Sequence, residues 1–480
     1  MPEATKIQER VFAGGEYLDS TSAERVTAAN PYDRTVIGHA PDGSPEDVDR
    51  AVRAAREAFD HGPWPRLSPA ERGDWIDRLA DELEARAGEI AAFVTDEVGQ
   101  PISVARFMNG IRPVQHLRYY ARLARELMVE QERENVDRDG TTLHLRQPLG
   151  VAALIVPWNH PQSSTTLKLG PALAAGCTVV IKPAAESPLD IFALARAAQT
   201  IGLPPGVVNI VTGGRETGQA LVAHPGVDKV AFTGSSAAGR HIASVAGQRL
   251  IPATLELGGK SAAVILDDAD LDAVLASLRV ASFGNTGQNC NALSRVLVPA
   301  SRYDRTVEAL VDLARDLRVG DPKDPATEIG PLVSQRALTR VTGMVDEARA
   351  TGATVLAGDT AAPTDGWFYA PRIITGADPD SPIAQHEIFG PVLSVHPYVD
   401  VDDAVRIANA TRYGLGGAVF SADEGRALEV ARRVKTGSIG LNGYRPDLGS
   451  PYGGVRDSGV GREFGPEAIE NYRESTSVFR

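Results

Sequence analysis

Val151-Ala152-Ala153-Leu154-Ile155-Val156 is an unbroken apolar run. Three similar runs follow at 178–181, 207–211 and 229–232. Their starts lie 22 to 29 residues apart, with helical stretches between them. That spacing predicts strand–helix–strand units and a parallel sheet buried on both faces. A second set at 262–266, 295–298, 392–395, 417–420 and 438–441 predicts another such domain, with a changeover near 255. The fold class is therefore α/β, with two doubly wound parallel-sheet domains.

Upstream, the first 140 residues read mostly as helix. Ser44-Pro45-Glu46-Asp47 and Ser68-Pro69-Ala70-Glu71 are capping boxes with proline at the first helical position. Val48, Val52, Ala55 and Phe59 then recur at helical spacing.

The chain has 480 residues, enough for two or three domains. Its net charge of -13 argues against non-specific nucleic-acid binding. Cys177 and Cys290 are its only cysteines, which excludes a disulfide framework and fits a reducing compartment. The start, residues 1–10, is polar and carries no apolar signal core. No apolar run approaches the roughly 20 residues that span a bilayer. These features predict a cytoplasmic protein. No paired-histidine or cysteine spacing points to a metal.

No G-x-G-x-x-G dinucleotide fingerprint follows any predicted strand. Phe232-Thr233-Gly234-Ser235 does end a strand before a helix. There Gly234 lets the backbone approach a pyrophosphate, and the helix start offers free N–H groups. Gly239 comes five residues later, as in a P-loop, but Arg240-His241 replaces the lysine and hydroxyl that a P-loop needs. These two glycines serve equally well as turn residues.

Cys290 lies in Gly284-Asn285-Thr286-Gly287-Gln288-Asn289-Cys290, a polar, amide-rich loop. Such a loop suits an exposed, activated thiolate, whereas free cysteines are more often buried and inert. Cys177 enters an apolar strand and reads as structural. Glu256, between leucines and before two glycines, is either a general base raised by burial or a strand-end carboxylate paired to lysine. Asn159 ends a buried strand; it is either an oxyanion donor or a turn residue. His160 lacks the companions of a triad base.

Together these segments resemble the aldehyde dehydrogenase superfamily, over about residues 10 to 478. The motifs run in the family's order. They are Val156-Pro157-Trp158-Asn159, Lys182-Pro183-Ala184, Phe232-Thr233-Gly234-Ser235, Glu256-Leu257-Gly258-Gly259-Lys260 and Gly287-Gln288-Asn289-Cys290. Glu387-Ile388-Phe389-Gly390-Pro391, Pro451-Tyr452-Gly453-Gly454 and Ser458-Gly459-Val460-Gly461-Arg462-Glu463 follow.

The resemblance implies an NAD(P)-dependent, non-acylating oxidation of an aldehyde to its acid. Cys290 would form a thiohemiacetal and then a thioester. Asn159 would hold the oxyanion, and Glu256 would activate the hydrolytic water. Lys168 and Glu463 match positions on a proton path. Val156, Pro157, Trp158, Lys182, Gly214, Gly218, Phe232, Gly234, Ser235, Leu257, Gly258, Glu387 and Phe389 match cofactor positions. It further implies a Rossmann-like cofactor domain (1–124 and 148–255) and a catalytic domain (256–455). A small β element (125–147 and 456–480) would build a homodimer or homotetramer.

Two departures stand out. The glutamate usual at the third place after the motif lysine is Ala185 here, which predicts looser selectivity for NAD over NADP. After Asn159 come His160, Gln162, Ser163, Ser164, Thr165 and Thr166, which predict a polar substrate channel if they face it. Three other functions share some of these features. They are a coenzyme-A-acylating semialdehyde dehydrogenase, a non-catalytic binding protein of the same fold, and a cysteine hydrolase. The first generally lacks the water-activating glutamate, and the last needs a histidine beside Cys290.

Overall fold

A computed structural model describes residues 9–357 and 363–480. Most of the polar stretch at the N-terminus, residues 1–8, lies outside the described residues.

The first sheet has eight strands. Its centre is parallel: Ala253–Glu256, Lys229–Thr233, Val151–Ile155, Thr178–Lys182 and Val208–Ile210 lie side by side in that order. Val151–Ile155 and Thr178–Lys182 are buried at every position, as a sheet covered by helices on both faces requires. Antiparallel strands close the edges, Gly459–Val460 on one side and Arg10–Ala13 with Glu16–Asp19 on the other. The second sheet has seven strands, six of them parallel, from Arg372–Thr375 to Gly440–Leu441. Thr354–Leu356 pairs antiparallel at its edge.

Both predicted capping boxes are present, at Ser44 before Pro45–Asp60 and at Ser68 before Pro69–Ala85. The mostly helical reading of the first 140 residues needs correction. Four strands, Arg10–Ala13, Glu16–Asp19, Arg25–Ala29 and Val36–Pro41, precede the first helix. They are short, and Glu16–Asp19 buries no residue fully, so alternation is too weak to read.

A third sheet joins Arg473–Phe479, Thr141–Pro148 and Glu130–Glu134, all antiparallel. The C-terminal strand thus pairs with a hairpin of its own chain. Among the described residues no helix is long and apolar enough to cross a membrane.

Candidate active site

The functional residues collect where the carboxyl ends of the first sheet face the second domain, as open α/β sheets favour. One cavity of about 810 Å³ runs through this region. Val156, Pro157, Trp158 and Asn159 enter it from the end of Val151–Ile155, and Lys182 from the end of Thr178–Lys182. Gly214 and Gly218 come from the start of helix Arg215–Ala223. Phe232, Gly234 and Ser235 come from the turn into helix Ser236–Arg249. Leu257, Gly258, Cys290, Glu387 and Phe389 complete the walls from the catalytic side.

The long arm of this cavity fits a dinucleotide. Ser235 caps helix Ser236–Arg249, so the helix start and its unpaired N–H groups face the cavity. A side chain at Gly234 would sit 2.5 Å from the Phe232 ring, so glycine keeps that approach open. Trp158 and Phe389 meet nearly perpendicular, 5.4 Å between ring centres. Lys182 Nζ donates to the carbonyls of Pro183 and Gly213, and burial lowers its pKa to about 8. Burial also raises Glu387 to about 7, while its Oε1 accepts from Gly259 N at 3.1 Å.

Cys290 follows a backbone held in a costly shape. Asn285, Thr286 and Gly287 all have positive φ, at 54°, 58° and 69°. For β-branched Thr286 that conformation is strained and persists only under external constraint. The constraints are visible. Thr286 Oγ1 accepts from Gly330 N at 3.0 Å, and Gln288 Oε1 accepts from Val333 N at 3.0 Å. Asn159 Nδ2 donates to Gln288 O at 2.9 Å, which leaves its second N–H for a ligand.

The thiol is not the exposed thiolate that its loop predicted. Cys290 is half-buried among Leu167, Leu415, Tyr444, Leu448, Tyr452 and Phe464. Burial, then the charges of Glu387 and Glu256, push it up to about 12. The sequence around Cys290 gave no sign of these carboxylates, which arrive from a distant strand end and a distant loop. Cys177 is fully buried in the first core.

Behind the cavity wall stand Glu256, Lys168 and Glu463. Burial and the Glu463 charge push Glu256 far above the ordinary carboxylate range. Neither of its carboxylate oxygens has a hydrogen-bond partner. Lys168, fully buried, pairs with Glu463 and donates to Thr233 Oγ1 at 2.7 Å. Glu256 is therefore not paired to a lysine of its own.

His160 is near the nucleophile but does not serve it. Its Nε2 meets Asn289 Oδ1 at 2.7 Å and its Nδ1 meets Gln100 Nε2 at 3.1 Å. Both nitrogens are occupied, and burial lowers the ring to about 4, so His160 is not free to act as the base of a cysteine hydrolase. The polar channel expected after Asn159 does not form from Gln162, Ser163, Thr165 or Thr166. Gln162 donates to Asp190, Ser163 to Met108 O, and Thr165 and Thr166 to carbonyls one turn back. Gln162, Ser163, Thr165 and Thr166 are buried between packed elements, so their polarity is consumed internally. Sequence reading also passed over Arg336 and Arg340, which line the cavity from helix Gln335–Ala350, and Tyr444 beside Cys290. The arginines carry no local signal.

The sequence profile of the aldehyde dehydrogenase family matches residues 17–478, and the chain belongs to that family. A geranial dehydrogenase from Castellaniella defragrans is 45% identical, with 98% of each chain covered. The structure of a Mycobacterium tuberculosis aldehyde dehydrogenase complexed with NAD+ superposes with a TM-score of 0.95 at 40% identity, covering 98% of each chain. An aldehyde dehydrogenase from Pseudomonas syringae, solved with NAD+ and octanal, gives 0.94 at 36% identity, covering 99% of this chain and 97% of that one.

Proposed function

We propose that this chain oxidises an apolar aldehyde to its carboxylic acid, with NAD as cofactor and Cys290 as nucleophile. One observation carries the proposal. A cavity that fits a dinucleotide ends on a thiol, an amide with a free N–H and, behind its wall, an unpartnered buried carboxylate.

Bound NAD supplies the acceptor for a hydride. Trp158, Lys182, Gly214, Gly218, Gly234, Ser235, Glu387 and Phe389 would hold it, with the pyrophosphate near the start of helix Ser236–Arg249. Cys290 adds to the aldehyde carbon and forms a thiohemiacetal. The Asn159 amide and the Cys290 N–H stabilise the oxyanion at that step. Loss of hydride leaves the acyl group on Cys290 as a thioester. Glu256 then takes a proton from water, which hydrolyses the thioester and frees the thiol. Lys168 and Glu463 pass that proton on. Glu256 favours water over a coenzyme-A thiol as the final acceptor, because its free oxygens have no other work.

The substrate class follows from the wall around Cys290. Leu167, Leu415, Leu448 and Phe464 present carbon to the thiol. The relatives named for geranial and solved with octanal support the same class. A second cavity of about 160 Å³ lies on the far side of Tyr444 and Tyr452, lined by Arg445 and Asp447 among others. The homodimer or homotetramer we expect rests on the solvent-facing third sheet, and the place of work is the cytoplasm.

The test follows absorbance of reduced nicotinamide with a panel of aldehydes, for the natural chain and Cys290→Ala. Turnover that disappears in the variant is the expected result. Turnover that survives in Cys290→Ala, or none on any aldehyde while NAD binds, overturns the proposal.

A further inference from the structure

Gln100 lines no part of the main cavity, yet it lies fully buried behind the reacting end. Its backbone is fixed from both sides. Gly99 ends helix Ala87–Val98 in the left-handed region, with φ at 72°, and Pro101 restricts Gln100 to an extended shape. The amide nitrogen, Nε2, sits 3.1 Å from Asn159 O and 3.1 Å from His160 Nδ1. The amide oxygen accepts from Asn109 Nδ2 at 2.7 Å, and Asn109 Oδ1 accepts from Gln162 N at 3.1 Å. On the other side of His160, Nε2 meets Asn289 Oδ1 at 2.7 Å, and Asn289 Nδ2 donates to Gly284 O at 2.8 Å.

The direction of every bond in this chain follows from its two ends. The Gln162 N–H can only donate, so Asn109 turns its oxygen there and its nitrogen to Gln100. Gln100 then keeps both amide hydrogens for Asn159 O and His160 Nδ1. The Gly284 carbonyl can only accept, so Asn289 turns its nitrogen there and its oxygen to His160. His160 therefore carries its hydrogen on Nε2 and accepts at Nδ1. A second tie runs beside the first: Asn285 Nδ2 donates to Asn159 O at 3.1 Å, and Asn159 Nδ2 to Gln288 O at 2.9 Å. Both ties end on the turn before Cys290, where Asn285 and Thr286 have positive φ.

Resting on the reading of Cys290 as nucleophile and Asn159 as oxyanion donor, we propose that Gln100 is a positioning residue for the reaction: its two N–H groups fix the Asn159 backbone and, through His160 and Asn289, the turn that carries Cys290. An oxyanion shared by the Asn159 amide and the Cys290 N–H needs those two donors at one fixed separation. They come from segments far apart in the chain, and the turn before Cys290 is strained, so neither holds its place unaided. His160 supplies no base; its ring is the rigid link between Gln100 and Asn289.

Gln100→Met keeps length and burial and removes both donors. Its burst of reduced nicotinamide with octanal is expected to slow by about ten- to a hundredfold, the scale of a small misplacement of reacting groups, while NAD affinity, read from tryptophan fluorescence, stays within about twofold. Without aldehyde or cofactor, hydrogen exchange across 284–290 should quicken about tenfold, the size of one lost buried hydrogen bond. His160→Phe cuts the link to Asn289 and should act alike. His160→Gln, whose amide nitrogen still reaches Asn289, should recover the burst to within about threefold of the natural chain. A merely structural role would lower the melting temperature of both His160 variants and leave the burst unchanged. A Gln100→Met burst within about twofold of the natural chain overturns the proposal, as does a slowed burst with unchanged exchange. A natural chain that gives no burst overturns the oxidation reading, and exchange across 284–290 then decides the tie alone: quickened exchange supports it, and unchanged exchange overturns it. Where Gln100→Met does not fold, the His160 variants decide: loss in Phe with recovery in Gln supports the tie, and equal bursts overturn it.

Discussion

Lys168 and Glu463 stand 295 residues apart in the chain and meet in a buried ion pair whose charges reach Glu256. Removing one partner strands the other charge out of water, at a cost of about 3–5 kcal/mol. Lys168→Met is expected to lower the urea midpoint accordingly. It also leaves the Glu463 charge unopposed, so the alkaline rise of activity moves to higher pH. An unchanged midpoint together with an unchanged pH profile counts against the pair.

Glu256 loses its proton only well above the ordinary range for glutamate. A base works when deprotonated, so turnover should rise with pH as Glu256 ionises. Glu256→Gln should abolish that limb and lower kcat by about 10²–10⁴-fold. Acylation does not need the base for water, so a single burst of reduced nicotinamide should survive. Rapid steady turnover in Glu256→Gln would falsify its role in hydrolysis.

Glu97 and Asp190 form a second buried carboxylate pair, away from the chemistry. Glu97 accepts from the backbones of Leu189 and Asp190, and Gln162 donates to Asp190 at 2.6 Å. Burial raises Asp190 from 3.8 to about 7, and burial with the Asp190 charge holds Glu97 well above its ordinary value too. Both stand above their unfolded values, so this contribution is whole below about pH 3.8 and is lost as pH rises through about 7. From mildly acidic to mildly alkaline pH the melting temperature should therefore fall more in the natural chain than in Asp190→Asn, by about 2 °C or more. Parallel curves would show that the pair does not titrate in this window.

Cofactor choice turns on Ala185, which lines the cavity beside Glu186. Glu186 is held by Arg336 at 2.8 Å. With alanine at 185, no carboxylate at that position repels a ribose phosphate, and kcat/KM for NAD should exceed that for NADP by less than about a hundredfold. Ala185→Glu should widen the ratio. A wide ratio in the natural chain, unmoved by the substitution, sinks the idea.

The carbon-lined wall at Cys290 favours long aldehydes over hydroxylated ones. Each methylene buried there contributes about 0.8 kcal/mol. Octanal and decanal should therefore outrun short hydroxyaldehydes in kcat/KM by far more than tenfold. Equal efficiencies would return attention to a polar pocket.

Local patterns were legible where the physics is local. Capping boxes at Ser44 and Ser68 depend on residues three apart, and continuous runs such as 151–155 report a sheet covered on both faces. Strand Glu16–Asp19, half-exposed at the sheet edge, carries no such signature. Helix Pro161–Ala175 is buried nearly all round, so periodicity does not say which side its hydroxyls face. The polar-channel expectation failed there, because Met108 and Asp190 take up those groups from other elements.

The sequence by itself determined the α/β class, the family and the residues gathered around the cavity, because ordered motifs and apolar runs are written along the chain. Only the tertiary structure decided the state of those residues. The Cys290 thiol is raised rather than activated, Glu256 lacks a partner, and Tyr452 packs in the cluster around Cys290, since charge and burial depend on neighbours that folding brings from far along the chain.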